Sequence, residues 1–213
     1  MKVGTDGVLI GCWPLAFSHS PIRRILDVGT GSGLIARMLM QRFPEAEVEG
    51  IDIDEAAVEQ AKENGVNAFL SRLQDWQGGP YDLIVSNPPY FQNSLKNPDA
   101  SRSTARHTDT LSYAELIHHS ARLLRENGQL ALILPAEAET EVRGLAAEEM
   151  LALARVTRVY SKEGKAAKRT LMAFEKCTIH NAQFKILEDI LILEDEKGGR
   201  SAAYQELTKD FYL

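Results

Sequence analysis

The apolar run Ile25-Leu26-Asp27-Val28 leads into Gly29-Thr30-Gly31-Ser32-Gly33 and then into Leu34 to Phe43, where Leu34, Met38 and Leu39 fall at helical spacing. Such a run is a short buried strand, the glycines form a tight turn, and the later period is that of a helix. Strand, loop and helix in this order commit the chain to parallel α/β winding, because the crossover packs back on its own sheet with one hand. The alternation continues with a strand at Val48 to Ile51, a helix at Glu55 to Asn64 and a third strand at Val66 to Leu70. Tyr81 to Ser86 reads as a fourth strand, Tyr113 to Arg125 as an amphipathic helix broken by Gly128, and Gln129 to Leu134 as a fifth strand ending at Pro135. A further helix is expected near Glu137 to Met150. Two β-like runs, Ala154 to Tyr160 and Thr170 to Phe174, flank a charged stretch and predict a closing antiparallel hairpin.

One core suffices for 213 residues that are 44% hydrophobic. The main domain is expected over 1–176, with 177–213 as a tail that carries one more β-like run, Ile186 to Leu193, and docks through Tyr204, Leu207 and Phe211. No apolar run reaches the roughly 18 residues that span a bilayer, and the first residues lack the order of a secretory signal, so a cytoplasmic protein with no membrane partner is expected. Cys12 and Cys177 have neither ligand spacing nor a disulfide framework, and no metal is expected. A net charge of −6 argues against broad adhesion to nucleic acid, though a local basic patch can still hold a few phosphates.

Gly29, Gly31 and Gly33 let the chain turn tightly and bring backbone N–H groups close to a ligand, and Asp52, roughly 20 residues on at the end of the next strand, can accept both hydroxyls of a ribose. The spacing is G-x-G-x-G rather than G-x-G-x-x-G, and a carboxylate at Asp27 repels a pyrophosphate. A cationic or zwitterionic nucleoside therefore fits better than a dinucleotide, and S-adenosylmethionine, with a sulfonium, an ammonium and a ribose diol, meets the description. Asp27 either steers its amino-acid end or is a structural carboxylate bonded to loop N–H groups. After the third strand, Leu73 is the candidate cover for an adenine ring, with Gln74 or Asp75 as polar contacts. Arg72 reads equally as a surface cation and Trp76 as packing.

Asn87-Pro88-Pro89-Tyr90 follows the fourth strand, and Asn87 is a candidate for cofactor contact as well as for the target amine. An amine conjugated to a ring or a carbonyl is a poor nucleophile, and acceptors must orient it. The Asn87 side-chain oxygen and the Pro88 carbonyl can each take one amine hydrogen, Pro88 and Pro89 fix φ and remove competing donors, and Tyr90 can stack on the plane. The bland alternative is a proline turn that ends a strand. In an open parallel sheet this motif, the glycine loop and Asp52 meet at one crevice outside the strand ends, which favours methylation of a flat amine.

With these residues in view the chain resembles the class I S-adenosylmethionine-dependent methyltransferases and, more narrowly, the bacterial tRNA1(Val) (adenine-37-N6)-methyltransferases. The likeness rests on Lys2-Val3-Gly4-Thr5-Asp6-Gly7 with Trp13, on Leu26 to Leu34, and on Asp82 to Tyr90. Ala105-Arg106-His107-Thr108 with Leu111 and the closing Phe211-Tyr212-Leu213 extend it over most of the chain. It implies a Rossmann-like, seven-stranded, mostly parallel sheet and methyl transfer to an anticodon-loop adenine held at Asn87 to Tyr90. Members usually carry a further segment ahead of the residue that is Met1 here, so the resemblance implies a shorter start than usual.

Thr5 reads as a helix N-cap or as a cofactor contact, and the resemblance favours the second. Arg102, Arg106, Lys165, Lys168 and Arg169 are candidate tRNA phosphate contacts, or an ordinary solvated face. A monomer is expected. Competing readings are a protein glutamine N5-methyltransferase, since the same acceptors suit a carboxamide, another nucleic-acid amine methyltransferase, and a cofactor-binding module without catalysis.

Overall fold

The computed structural model describes residues 4–13, 21–88, 111–177 and 186–211. In chain order these form α1 (Thr5–Cys12), β1 (Arg24–Val28), α2 (Leu34–Arg42), β2 (Glu47–Asp52), α3 (Glu55–Glu63), β3 (Asn67–Leu70) and β4 (Tyr81–Ser86). There follow α4 (Tyr113–Leu123), β5 (Leu124–Pro135), α5 (Glu139–Glu148), β6 (Leu151–Tyr160), β7 (Ala167–Lys176), β8 (Leu187–Ile192) and α6 (Ala202–Thr208). Short 3-10 turns stand at Leu73–Asp75 and Ala136–Ala138.

One sheet carries all the strands in the order β3-β2-β1-β4-β5-β7-β6-β8. β1 to β5 are parallel, and β7 runs antiparallel between β5 and β6 as the expected hairpin. The sheet has eight strands rather than the seven the resemblance implied. The extra one is β8, from the tail, which pairs in parallel with β6 from Arg155↔Leu187 to Tyr160↔Ile192.

Alternating residues of the central strands feed two cores on opposite faces. Ile25, Leu83, Val85, Ala131 and Ile133 face Leu9 of α1, Ile35 and Leu39 of α2 and Val58 of α3. Leu26, Val28, Ile84, Leu130 and Leu132 face Leu116 and Ile117 of α4 and Val142 of α5. Each such buried aliphatic contributes on the order of 1.5–3 kcal/mol relative to exposure. Ser112 starts α4 with a reciprocal cap: its hydroxyl accepts from the Glu115 N–H while the Glu115 carboxylate accepts from the Ser112 N–H.

The strand order locates the crevice. From β1 the chain moves outward to β2 and β3, then crosses back to β4 on the other side of β1. The loops after β1 and β4 therefore leave in opposite directions, and ligands bind at such a switch point beyond the strands' carboxyl ends.

Candidate active site

Val28 and Ser86 are paired in register, so Gly29 and Asn87 step off adjacent strands at the same level, about 4.8 Å apart in the hydrogen-bonding direction. On the β1 side, Gly29, Gly31 and Gly33 all have positive φ, at 72°, 56° and 82°. Side chains other than glycine pay for that backbone, and the loop takes its tight arch at no such cost.

Most of the loop's donors are used inside the protein. The N–H groups of Gly29 and Thr30 both reach the Ile51 carbonyl at 2.9 and 3.0 Å, and Gly33 N–H reaches the Thr30 carbonyl at 2.9 Å. Gly31 N–H donates to Asp52 Oδ2 at 2.8 Å. The expectation that these glycines present their N–H groups to the ligand is corrected accordingly: they form a surface of close approach, with four of the five loop donors spent on β2 and on the arch itself. Such a loop is poorly suited to a pyrophosphate.

Its acids suit a cation and a diol. Asp52 is half-buried at the end of β2, where Oδ2 takes Gly31 N–H and Oδ1 takes Asp54 N–H at 3.0 Å. A carboxylate oxygen accepts more than one hydrogen bond, so both retain capacity for ribose hydroxyls. Asp27 is fully buried, and its Oδ2 accepts from the Thr30 hydroxyl at 2.8 Å and from Ala36 N–H at 3.1 Å. Asp27 is thus a structural carboxylate through Oδ2, held by a loop hydroxyl and a helix N–H rather than by loop N–H groups, while Oδ1 is also buried and has no partner among the described residues. Burial pushes this carboxyl up to about 7, the charge of Asp52 adds to the rise, and the bonds from Thr30 and Ala36 oppose it. An ammonium or sulfonium nearby would offset that burial. The donor set thus fits S-adenosylmethionine.

On the adenine side, Leu73 is only 3% exposed and packs within the core cluster of Leu26, Val28 and Ile51. Gln74 turns toward Glu115 at 3.4 Å, and Trp76 donates to the Tyr81 hydroxyl at 2.8 Å. Arg72 is exposed. Two apolar side chains that sequence reasoning passed over, Ile53 at 57% and Leu70 at 55% exposure, lie at the carboxyl ends of β2 and β3. The signal was present in Asp52-Ile53-Asp54, an isoleucine between acids where a strand stops and a solvated loop would be polar.

Across the crevice, the buried Ser86 hydroxyl donates to the Val28 carbonyl at 2.8 Å, tying the end of β4 to β1 one residue before the amide. Asn87 follows half-buried and Pro88 buried. Pro89, Tyr90, Arg102 and Arg106 lie outside the described residues.

Thr5 opens α1, and the cap position is Gly4, so Thr5 is not an N-cap. A Cβ on Gly7 would lie 3.3 Å from Leu34, which places the start of α1 beside the end of the glycine loop. Asp6 accepts from Arg169 Nε at 2.9 Å. Arg169 pairs with Pro135 and Ala167 with Tyr160, so the β6–β7 turn stands at the same edge as the carboxyl ends of the parallel strands. Lys165 and Lys168 are exposed there, while Lys162 pairs with Glu194 at 3.2 Å. His118 is exposed and bonds Glu149 at 2.8 Å. No helix among the described residues is long and apolar enough to cross a membrane.

The family model described as a methyltransferase small domain matches residues 14–151. A tRNA1(Val) (adenine(37)-N6)-methyltransferase of Bacteroides thetaiotaomicron is 41% identical over 223 aligned positions, which cover 100% of this chain and 91% of that protein. The proteins of the same name from Parabacteroides distasonis and Aeromonas hydrophila are 43% and 37% identical, each with 100% of this chain and 91% of the relative covered. Among solved structures, a predicted O-methyltransferase of Agrobacterium tumefaciens superposes with a TM-score of 0.72 over 96% of both chains at 17% identity, a likeness of fold.

Proposed function

The chain belongs to the methyltransferase small domain family and, within it, to the tRNA1(Val) (adenine(37)-N6)-methyltransferases, and from that premise we propose that it methylates the exocyclic amine of adenine 37 in the anticodon loop of tRNA1(Val). S-adenosylmethionine supplies a methyl on a sulfonium, an electrophile that needs no metal. The observation that carries the reading is the pairing of Val28 with Ser86, which sets a donor loop with a buried carboxylate oxygen that has no partner among the described residues next to the strand end that bears Asn87.

On the donor side, Asp52 accepts the ribose diol, Asp27 faces the cationic end, Ile53 lends an apolar face to the adenine with Leu73 packed behind the strand ends, and Thr5 closes the site from α1. Gly29, Gly31 and Gly33 allow close approach. On the acceptor side, the Asn87 side-chain oxygen and the Pro88 carbonyl accept the two amine hydrogens and draw the nitrogen toward tetrahedral geometry, while Pro89 and Tyr90 stiffen and cover the target plane. The amine lone pair forms the new N–C bond as the C–S bond breaks, and the extra proton on nitrogen leaves to solvent, since an amide is no base at neutral pH. Holding both partners in line supplies much of the acceleration. Lys165, Lys168 and Arg169 contact tRNA phosphates around the same edge, and Arg102 and Arg106 are further candidates for phosphate contact. The enzyme acts as a cytoplasmic monomer.

The test is incubation with labelled S-adenosylmethionine and unmodified tRNA1(Val), followed by nucleoside mass mapping. Label in N6-methyladenosine at position 37, lost in Asn87→Ala, is the expected result. Label at another nucleoside, or in a release-factor glutamine instead of tRNA, would reject it.

A further inference from the structure

Asn64 is the C-terminal cap of α3, at φ −79° and ψ 7°, a backbone geometry open to most residues, and its own N–H reaches the Gln60 and Lys62 carbonyls. Ending the helix makes no use of the side chain. The residue is also exposed, so no core packing depends on it. Its amide nitrogen instead donates to the Ser32 carbonyl at 2.8 Å, across a sequence separation of 32.

Ser32 sits between Gly31 and Gly33, at φ of 56° and 82°. A peptide flanked by two such glycines has little stiffness of its own, and its plane takes whatever orientation its hydrogen bonds impose. Here one peptide unit is held at both ends: the Ser32 carbonyl by Asn64, and the Gly33 N–H by the Thr30 carbonyl at 2.9 Å. Sterics back the same segment, since a Cβ on Gly33 would fall 2.7 Å from Val66 Cγ2 and 3.3 Å from Ala61 Cβ. The end of α3 and the residues after it thus form a rear wall for the glycine arch. Within that wall, Asn64 is the side chain that reaches the arch by a directed polar bond.

We propose that Asn64 is a positioning residue of the donor site, holding the Ser32–Gly33 peptide plane in the orientation that the bound S-adenosylmethionine meets. The role rests on the glycine loop being the donor site, and it is independent of which amine is methylated. Without the amide, the plane is restrained at one end only, and part of the binding energy goes into ordering it. Losing one neutral hydrogen bond of this kind weakens binding about 3- to 10-fold. The acceptor side, on β4, is untouched, so turnover at saturating donor should hold.

The experiment compares the full chain with Asn64→Leu, branched alike but without a donor, and with Asn64→His, whose ring Nδ1 can take the place of the amide nitrogen. Calorimetry reads the Kd for S-adenosylmethionine, steady-state assays read KM and kcat, and thermal melting is followed without ligand. The expected result for Asn64→Leu is Kd and KM for the donor raised about 3- to 10-fold with kcat within about twofold, and recovery in Asn64→His. The ligand-free melting temperature should stay within about 2 °C, as for an exposed side chain. Equal Kd in wild type and Asn64→Leu would overturn the role of Asn64 alone. A parallel fall in kcat and melting temperature would reduce it to a structural one and also overturn it. A wild-type chain that binds no S-adenosylmethionine would instead reject the donor-site reading itself.

Discussion

The two sides of the crevice are made rigid in different ways. The donor loop is built from glycines, which have no stiffness, so its shape is imposed from outside: by the Ile51 carbonyl, the Asp52 carboxylate, the Thr30–Asp27 bond and the Asn64 amide. On the acceptor side the Ser86 hydroxyl bonds the Val28 carbonyl at the end of β4, and the sequence passes at once into prolines whose rings set φ covalently. Donor binding is therefore spread over many weak contributors, whereas orientation of the target amine falls to two acceptors, of which Asn87 supplies the side chain. Loss of any single donor-side group should be graded, and loss of the acceptor amide should be near total.

That contrast can be broken at its strong end first. Asn87→Ala should lower kcat by about 10²–10³-fold or more, as for removal of one group that acts in the transition state, while calorimetry shows a donor Kd within about twofold of wild type. An equal fall in donor affinity would erase the division between the two sides. Next in size is Gly50→Ala on β2. Its new Cβ would lie 2.8 Å from Thr30 Oγ1 and 2.9 Å from Thr30 Cβ, so Thr30 must shift off Asp27. Overpacking of this kind costs about 1–3 kcal/mol, and both the melting temperature and donor affinity should fall together.

A smaller effect comes from pH. Asp27 holds its proton up to about 7 in the fold against 3.8 as its ordinary value, so its contribution to the stability of the ligand-free protein is full below about 4 and is lost as pH rises through about 7. Binding a cation has the opposite preference, because it needs the ionised form. Donor affinity should therefore rise about tenfold between pH 6 and pH 8 and level off above, and Asp27→Asn should flatten the profile. A wild-type profile that is already flat would remove Asp27 from the cationic end. The smallest change is expected for Ile53→Ala, about 3- to 10-fold in donor Kd with kcat preserved, because the exposed side chain gains burial only when the adenine covers it. No change in Kd would show that Ile53 does not cover the ring.

The parts legible in the sequence were those with local causes. β4 runs over Tyr81–Ser86 as expected, an apolar run of strand length between Pro80 and Asn87-Pro88. β5 is longer than its apolar core suggests and begins at Leu124, inside the segment read as helix through Arg125. Leu124 continues the apolar spacing of α4, so no local pattern marks the change, and its pairing with Tyr81 across the sheet decides it. The run at 186–193 was recognisable as β-like, but its place as an eighth strand depends on contact with β6. That place is held by side chains distant in sequence: Asp189 bonds both Arg155 and Thr157, and Thr157 in turn accepts from the Trp13 indole at 2.8 Å. Leu73 lies near a strand end in the sequence, and its packing against Leu26, Val28 and Ile51 is set by the sheet rather than by its neighbours.

By itself the sequence determined the winding order, the switch from parallel strands to a hairpin, and the chemical groups available at the crevice. Glycine spacing, apolar period and the Asn-Pro-Pro-Tyr run act within a few residues, and such local effects are written locally. Only the tertiary structure decided where the loop's donors point, that one oxygen of Asp27 has no partner among the described residues, that Arg169 is matched by Asp6 from a sequence distance of 163, and that Asn64 reaches Ser32. Each of these depends on which groups a shared sheet brings within about 3 Å, a condition set by long-range packing that no neighbouring residues encode.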